Sequence, residues 1–297
     1  MKTPAASYHA PEITTHLISS SVVAQSFRIK VLQPVCKADG SERFPVVYAT
    51  DGDDLFEALG ALSKNLQAHG EVPRFILVGV GYQDPRAASM LRMRDYYPHA
   101  IRSLYATETE QLARSEIFGG VDIETITQTT DAGEFLKFIR AELMPLIESS
   151  YPTVPDDSTY FGYSAGGLFG LYTLSTQPET FSRYILGSLP TTYRGKHFGI
   201  ELIDALALSG RAIPAKVALT VGELEELVGP LAPFDLVTGY CQLTKRLRAG
   251  AIPGLELFAR ILPGETHATA WAGAFGHGLR SLFRPAREVP FLPDFLR

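Results

Sequence analysis

The chain is poor in cysteine. Cys36 and Cys241 are the only two in 297 residues, they lie far apart, and neither belongs to a CxxC pair. That excludes a disulfide framework and a thiolate zinc site as organising devices. Two free thiols, buried or partly buried, are expected. A basic surplus is missing as well: 27 Lys and Arg stand against 32 Asp and Glu, a formal net charge of −5, which offers no electrostatic footing for nucleic acid. No apolar run reaches the roughly 18 residues of a membrane-spanning helix, and the stretch "MKTPAASYHAPEITTHLISS" contains no apolar segment of signal-peptide length. A soluble, cytoplasmic protein with no membrane partner is expected. Gly/Ser-rich linkers, charge blocks and internal repeats are also lacking. A prior of about 150 residues per domain would allow two domains, but α/β folds often reach this size as one; one domain over 1–297 is expected.

What is present is ordinary globular composition, 45% hydrophobic and 20% charged, enough for a sizeable core. Residues 13–34 alternate and are rich in β-branched types, the pattern of an antiparallel hairpin at a sheet edge. Short apolar runs at 44–50, 74–82, 158–163, 181–189 and 214–223 read as strands, and 255–267 reads as the last strand with its loop. Between them, 54–70, 131–151, 165–177, 233–250 and 270–283 read as helices, the first with Leu55, Leu59, Leu62 and Leu66 at helical spacing and the second opened by a capping aspartate. Segments 83–130 and 189–212 show no clear period and are expected to be irregular, pocket-forming insertions. The order predicts an α/β fold: a mostly parallel sheet with an N-terminal antiparallel hairpin and helices on both faces. In such sheets chemistry gathers at the carboxyl ends of the strands.

One such end carries "YFGYSAGGLFGLYTL" (160–174), in which Gly162-Tyr163-Ser164-Ala165-Gly166 fits GxSxG between an expected strand and an expected helix. A serine hydroxyl is a poor nucleophile unless a base reaches it and a carbonyl can approach it. A sharp strand-to-helix turn lifts it clear of the sheet, and the glycines let neighbouring backbone come close. The helix that follows directs its N-terminus toward developing negative charge.

A nucleophile on such an elbow is followed along the chain by an acid and then a histidine. Of seven histidines only His197, His267 and His277 follow Ser164. His267 lies in a loop after the last strand, whereas His197 precedes the next strand and His277 falls inside a helix; His267 is the expected general base. The acid should follow the strand "KVALTV", where Glu223, Glu225 and Glu226 compete and Asp235 is a weaker fourth. An oxyanion hole would take its first N–H from Ala165 and its second from "DGDD" (51–54).

Taken together, "PVVYATDGD", "ILVGVGY…RMRDYYP", "FGYSAGGLFGLYTL", "VGELEE" and "GETHATAW…GLRSLF" give a chain that resembles, over residues 13–285, the putative-esterase branch of the α/β-hydrolases. That branch includes enterochelin-esterase-like siderophore hydrolases, feruloyl esterases and mycolyltransferases. The resemblance implies Ser164 as nucleophile, His267 as base, Glu225 as acid, and Asp53 as the second oxyanion donor beside Ala165. It brings the "RxRDY" residues Arg92, Arg94, Asp95 and Tyr96 beside the active site, where an arginine could pair with an anionic or catecholate-like group. Tyr163 and Trp271 complete the expected substrate contacts. Where many relatives carry a Trp-rich stretch, this chain has "GSLPTTYRGKHFG", with Tyr193 and no tryptophan.

The function expected is hydrolysis of a small-molecule carboxylic ester, a lactone or siderophore-like ester included, through an acyl-enzyme. No metal or organic cofactor is called for. An acyltransferase or an amide or lactam hydrolase could use the same residues, and a non-catalytic binding module could use the same scaffold. The N-terminal hairpin offers an edge on which a homo-oligomer could form.

Overall fold

The computed structural model describes residues 13–36, 40–84, 88–98, 131–227, 229–249 and 252–283. The N-terminal hairpin consists of β1 (Ile13–Ser19) and β2 (Ser26–Leu32). Then follow β3 (Phe44–Ala49), α1 (Phe56–Ala68), β4 (Ile76–Tyr82) and α2 (Ala88–Tyr96). The next helical stretch is α3 (Ala132–Phe138), a π-helical turn (Ile139–Leu143) and α4 (Met144–Ser150). The remaining units are β5 (Thr153–Tyr163) with α5 (Ala165–Thr176), β6 (Arg183–Gly187) with α6 (Phe198–Leu208), β7 (Lys216–Gly222) with α7 (Leu236–Ala249), and β8 (Glu256–Leu262) with α8 (Ala270–Leu282).

The eight strands form one sheet in the order β1-β2-β4-β3-β5-β6-β7-β8. β1 and β2, and β2 and β4, pair antiparallel; every other pairing is parallel. Successive side chains of a strand leave on opposite faces, and β3 shows what that builds. Val46 and Tyr48 enter one core with Phe135, Phe169 and Leu243, while Val47 and Ala49 enter the other with Phe56, Phe275 and Leu279. Helices α1 and α8 therefore cover one face, and α2 to α7 supply the cover of the other. Both faces of the inner strands are buried, which explains continuous apolar runs such as "ILVGVGY" in β4. The chain leaves β3 for β4 on one side, and β5 lies on its other side. That reversal opens a crevice at the carboxyl ends of β3 and β5, where such sheets bind ligands.

Several local expectations need correction. The helix over 131–151 forms, with the Asp131 side chain accepting from Gly133 N at 2.8 Å, but it carries a π turn just ahead of Pro145. Proline has no N–H and its ring crowds the carbonyl four residues back, and the wider turn relieves this. Within 83–130, residues 88–96 are helical, and 99–130 lie outside the described residues. Within 189–212, α6 buries Phe198, Ile203 and Leu206. β5 begins five residues earlier than expected because Thr153 pairs with Phe44. Cys241 is exposed on α7, not buried, and both cysteines are free. Among the described residues no helix is long and apolar enough to cross a membrane.

Candidate active site

β5 ends at Tyr163 and α5 begins at Ala165, so Ser164 alone makes the turn, at φ 56° and ψ −121°. That backbone is costly for a residue with a Cβ, and its surroundings hold it. Ser164 N–H donates to Gly187 O at 2.9 Å, tying the turn to the end of β6. Tyr160 Oη donates to Gly166 O at 2.7 Å, and the Thr50 hydroxyl meets Tyr160 Oη at 3.1 Å. The elbow is thus fastened to the end of β3 as well.

The glycines answer to the tightness of this packing. A Cβ on Gly162 would stand 2.2 Å from Gly166 O, and one on Gly166 would stand 2.4 Å from Thr50 Oγ1. Because the first obstacle is backbone, it cannot swing away. Gly162→Ala is therefore expected to destabilise the fold by about 1–3 kcal/mol, read as a fall in Tm of roughly 2–4 °C per kcal/mol for a chain of this size.

The loop after β8 brings His267 over the serine. Its Nε2 lies 3.0 Å from Ser164 Oγ and its Nδ1 lies 2.9 Å from Glu225 Oε2. The loop is fixed from two sides: Tyr163 Oη donates to His267 O at 2.8 Å, and Leu224 N donates to Glu265 O at 3.0 Å. Burial, reinforced by the Glu225 charge, pushes the Tyr163 phenol up, so it stays a donor. Tyr163, named among the expected substrate contacts, supports the histidine loop through its bond to His267 O.

Glu225 opens a 3₁₀ turn after β7 and is 0% exposed. Its Oε1 accepts from Ser188 Oγ at 2.5 Å and from Gly222 N at 2.7 Å, and its Oε2 faces the imidazole. Both oxygens of this enclosed carboxylate are thus held by hydrogen bonds. A carboxylate at Nδ1 keeps the proton there and leaves the Nε2 lone pair for the serine hydroxyl. The competing carboxylates turn elsewhere, Glu223 to Gly264 N at 2.8 Å and Glu226 to Thr238 N. Among the described residues no bond joins the Asp235 carboxylate to His267; Asp235 stands at φ 44° in the turn before α7. His197 precedes α6, and His277, on α8, accepts from Arg260 and Arg280.

In the turn after β3, Gly52 N donates to Val80 O, Asp54 N and Leu55 N donate to Asp51 O, and Asp51 N donates to Tyr96 Oη. Among the described residues the Asp53 N–H has no acceptor. The N–H of Ala165, at the first position of α5, has no acceptor within its helix. The Asp53 side chain points away to the sheet, accepting from Tyr82 N at 2.6 Å and Arg28 Nη1 at 3.4 Å. Burial raises its pKa against these donors.

The "RMRDY" segment divides. Arg92 grips Asp51 through two bonds of 2.8 Å and lies over the Tyr96 ring. The Asp51 carboxylate reaches to 3.4 Å of where a Gly166 Cβ would be, so Arg92 stands next to the elbow. Arg94 is 2% exposed and spends its guanidinium on Asp95, which also accepts from Tyr82 Oη. Arg94 and Tyr96, expected at the substrate, are enclosed and support the loop. Trp271 is partly buried against the α1–α8 core. Asp51, Thr50, Tyr160 and Ser188 went unread in the sequence; their positions one or two residues past strand ends, or inside the GxSxG strand, were the available signal.

The family model described as "Putative esterase" matches residues 20–280. The chain belongs to that esterase family. Ferri-bacillibactin esterase BesA of Bacillus subtilis is 30% identical over 189 residues, covering 62% of this chain and 61% of the relative. The chain thus matches about three fifths of the length of that curated relative. The solved structure of the BES protein from Bacillus cereus superposes with a TM-score of 0.73 at 23% identity, covering 95% of this chain and all of that one. Siderophore hydrolase EstA from Aspergillus nidulans gives 0.74 at 19% identity, covering 97% and 99%. At these identities the structural likeness carries the fold: this esterase-family chain has the α/β-hydrolase architecture.

Proposed function

We propose that the chain is a serine esterase that cleaves a carboxylic ester through Ser164, His267 and Glu225. The hydrogen-bond chain from Ser164 Oγ to His267 Nε2 at 3.0 Å and from His267 Nδ1 to Glu225 Oε2 at 2.9 Å carries this reading. His267 takes the hydroxyl proton as Ser164 Oγ attacks the ester carbonyl. The N–H groups of Asp53 and Ala165 receive the oxyanion. The tetrahedral intermediate collapses, His267 passes its proton to the departing alkoxide, and the acyl group stays on Ser164. Water then gives a proton to His267 as its oxygen attacks the acyl carbonyl, and His267 returns that proton to Ser164 Oγ as the acyl–oxygen bond breaks and the acid leaves. Glu225 keeps its charge throughout and stabilises the imidazolium.

The substrate class proposed is a siderophore-like ester, lactones included, because several relatives and structural neighbours are named siderophore esterases or hydrolases. Arg92, beside the elbow and held by Asp51, is the residue proposed to meet an anionic or catecholate-like part of it.

The test is covalent. A fluorophosphonate probe should add one adduct per chain, located on Ser164 by peptide mass spectrometry, and aryl ester turnover should stop in proportion. Turnover that continues in fully labelled protein would overturn the assignment. Product analysis with and without added alcohol separates hydrolysis from acyl transfer: free acid in both arms supports an esterase, and a new ester supports a transferase.

A further inference from the structure

The acid's own support is unusual in its geometry. Ser188 follows β6 directly, is buried, and adopts φ 46°. A left-handed backbone favours glycine, and a residue with a Cβ sits there at a cost. Its N–H is anchored to Thr220 O at 2.8 Å, and its hydroxyl donates to Glu225 Oε1 at 2.5 Å. The same oxygen takes Gly222 N–H at 2.7 Å. The two donors approach from different strand ends, β6 and β7, so together they fix the plane of the carboxylate. Only Oε2 is then left to face the imidazole.

We infer that Ser188 is a positioning residue for the reaction, acting through Glu225 and not on the substrate. The inference rests on the proposed role of Glu225 as the acid. Without the Ser188 hydroxyl, Oε1 loses its 2.5 Å donor and keeps the Gly222 N–H. The carboxylate then rotates about that bond, and the His267 ring loses its fixed partner. Because Ser188 is buried and its hydroxyl is directed to Glu225, substrate affinity has no reason to change.

The experiment compares Ser188→Ala with Ser188→Gly. Both remove the hydroxyl, but glycine relaxes the left-handed backbone and alanine does not. Both variants are expected to lose about 10- to 100-fold in kcat on an aryl ester, the scale of one hydrogen bond to a charged group, with KM within about twofold. Ser188→Gly should melt above Ser188→Ala, because only glycine relaxes the φ 46° backbone. In a Glu225→Ala background, adding Ser188→Ala should cost less than about twofold, because two residues acting through one another are not additive. A kcat that follows Tm, with glycine restoring what alanine loses, would overturn the inference in favour of a packing role. Full additivity with Glu225→Ala would overturn it equally. Should Ser188 variants keep wild-type kcat while Ser164→Ala and Glu225→Gln are dead, this inference fails and the proposed function stands.

Discussion

Ser164→Ala is expected to lower kcat toward aryl esters by about 10⁴-fold or more, the scale seen when a serine-hydrolase nucleophile is removed, while KM changes little. The side chain lost is one hydroxyl, and nothing else in the elbow depends on it. Ser164 holds its place through its backbone: its N–H bonds Gly187 O, and its carbonyl accepts from Leu168 N at 3.1 Å. Alanine adopts φ 56° no more easily than serine, so the strain persists and the fold should be unchanged. Ser164→Gly is the informative companion. It should be equally inactive yet more stable by up to about 1–2 kcal/mol, because glycine occupies that backbone region without penalty. A protein that becomes more stable on losing its nucleophile carries strain at that position for the sake of function. An alanine variant that retains more than a tenth of wild-type activity would end the proposed mechanism.

How far the sequence announced this arrangement depends on what each element needs from its neighbours. The β-α alternation was legible because buried parallel strands are written as apolar runs, and their helices carry caps and periodic leucines. Ser164 was legible because the clash of a Cβ at Gly162 or Gly166 is local, set by atoms within one turn and one neighbouring strand. Glu225 was not legible from spacing. Glu223, Glu225 and Glu226 differ in no sequence property, and the choice is made by a 3₁₀ turn that aims Glu225 inward and by donors that lie 37 residues away at Ser188 and three at Gly222. The family resemblance implied Glu225, and the proposal of it as the acid rests on its bond to His267. Ser188 was invisible for a similar cause: a serine after a strand is common, and only its backbone sign and partner set it apart. The "RMRDY" arginines misled in one direction. Each has an acidic partner, but burial separates Arg94, enclosed with Asp95, from Arg92, which lies with Asp51 next to the elbow.

The proposed acid, Glu225, gives the second large expected effect, and its direction follows from the donors around it. Glu225→Gln keeps the size of the side chain and is often taken as a mild change. Here Oε1 receives Ser188 O–H and Gly222 N–H. Gly222 N–H is fixed backbone and can only donate. The glutamine must therefore place its carbonyl oxygen at that corner, because an amide NH₂ there would meet another donor in a buried site. Its NH₂ is left to face His267 Nδ1, which must then accept. An imidazole that accepts at Nδ1 carries its proton on Nε2 and has no lone pair for the Ser164 hydroxyl. The variant should hold the wrong tautomer and lose about 10³- to 10⁴-fold in kcat, the cost known for the equivalent exchange in a serine-protease triad. Stability should fall only modestly, since every hydrogen bond to the side chain keeps a partner. Glu225→Ala removes the tautomer constraint altogether and leaves a cavity that water can enter, so it should lose stability and yet retain more activity than the glutamine variant. That inversion, alanine less stable but faster, is what steady-state kinetics beside thermal melts would read. If the glutamine variant is instead the faster of the two, Glu225 does not set the tautomer of His267.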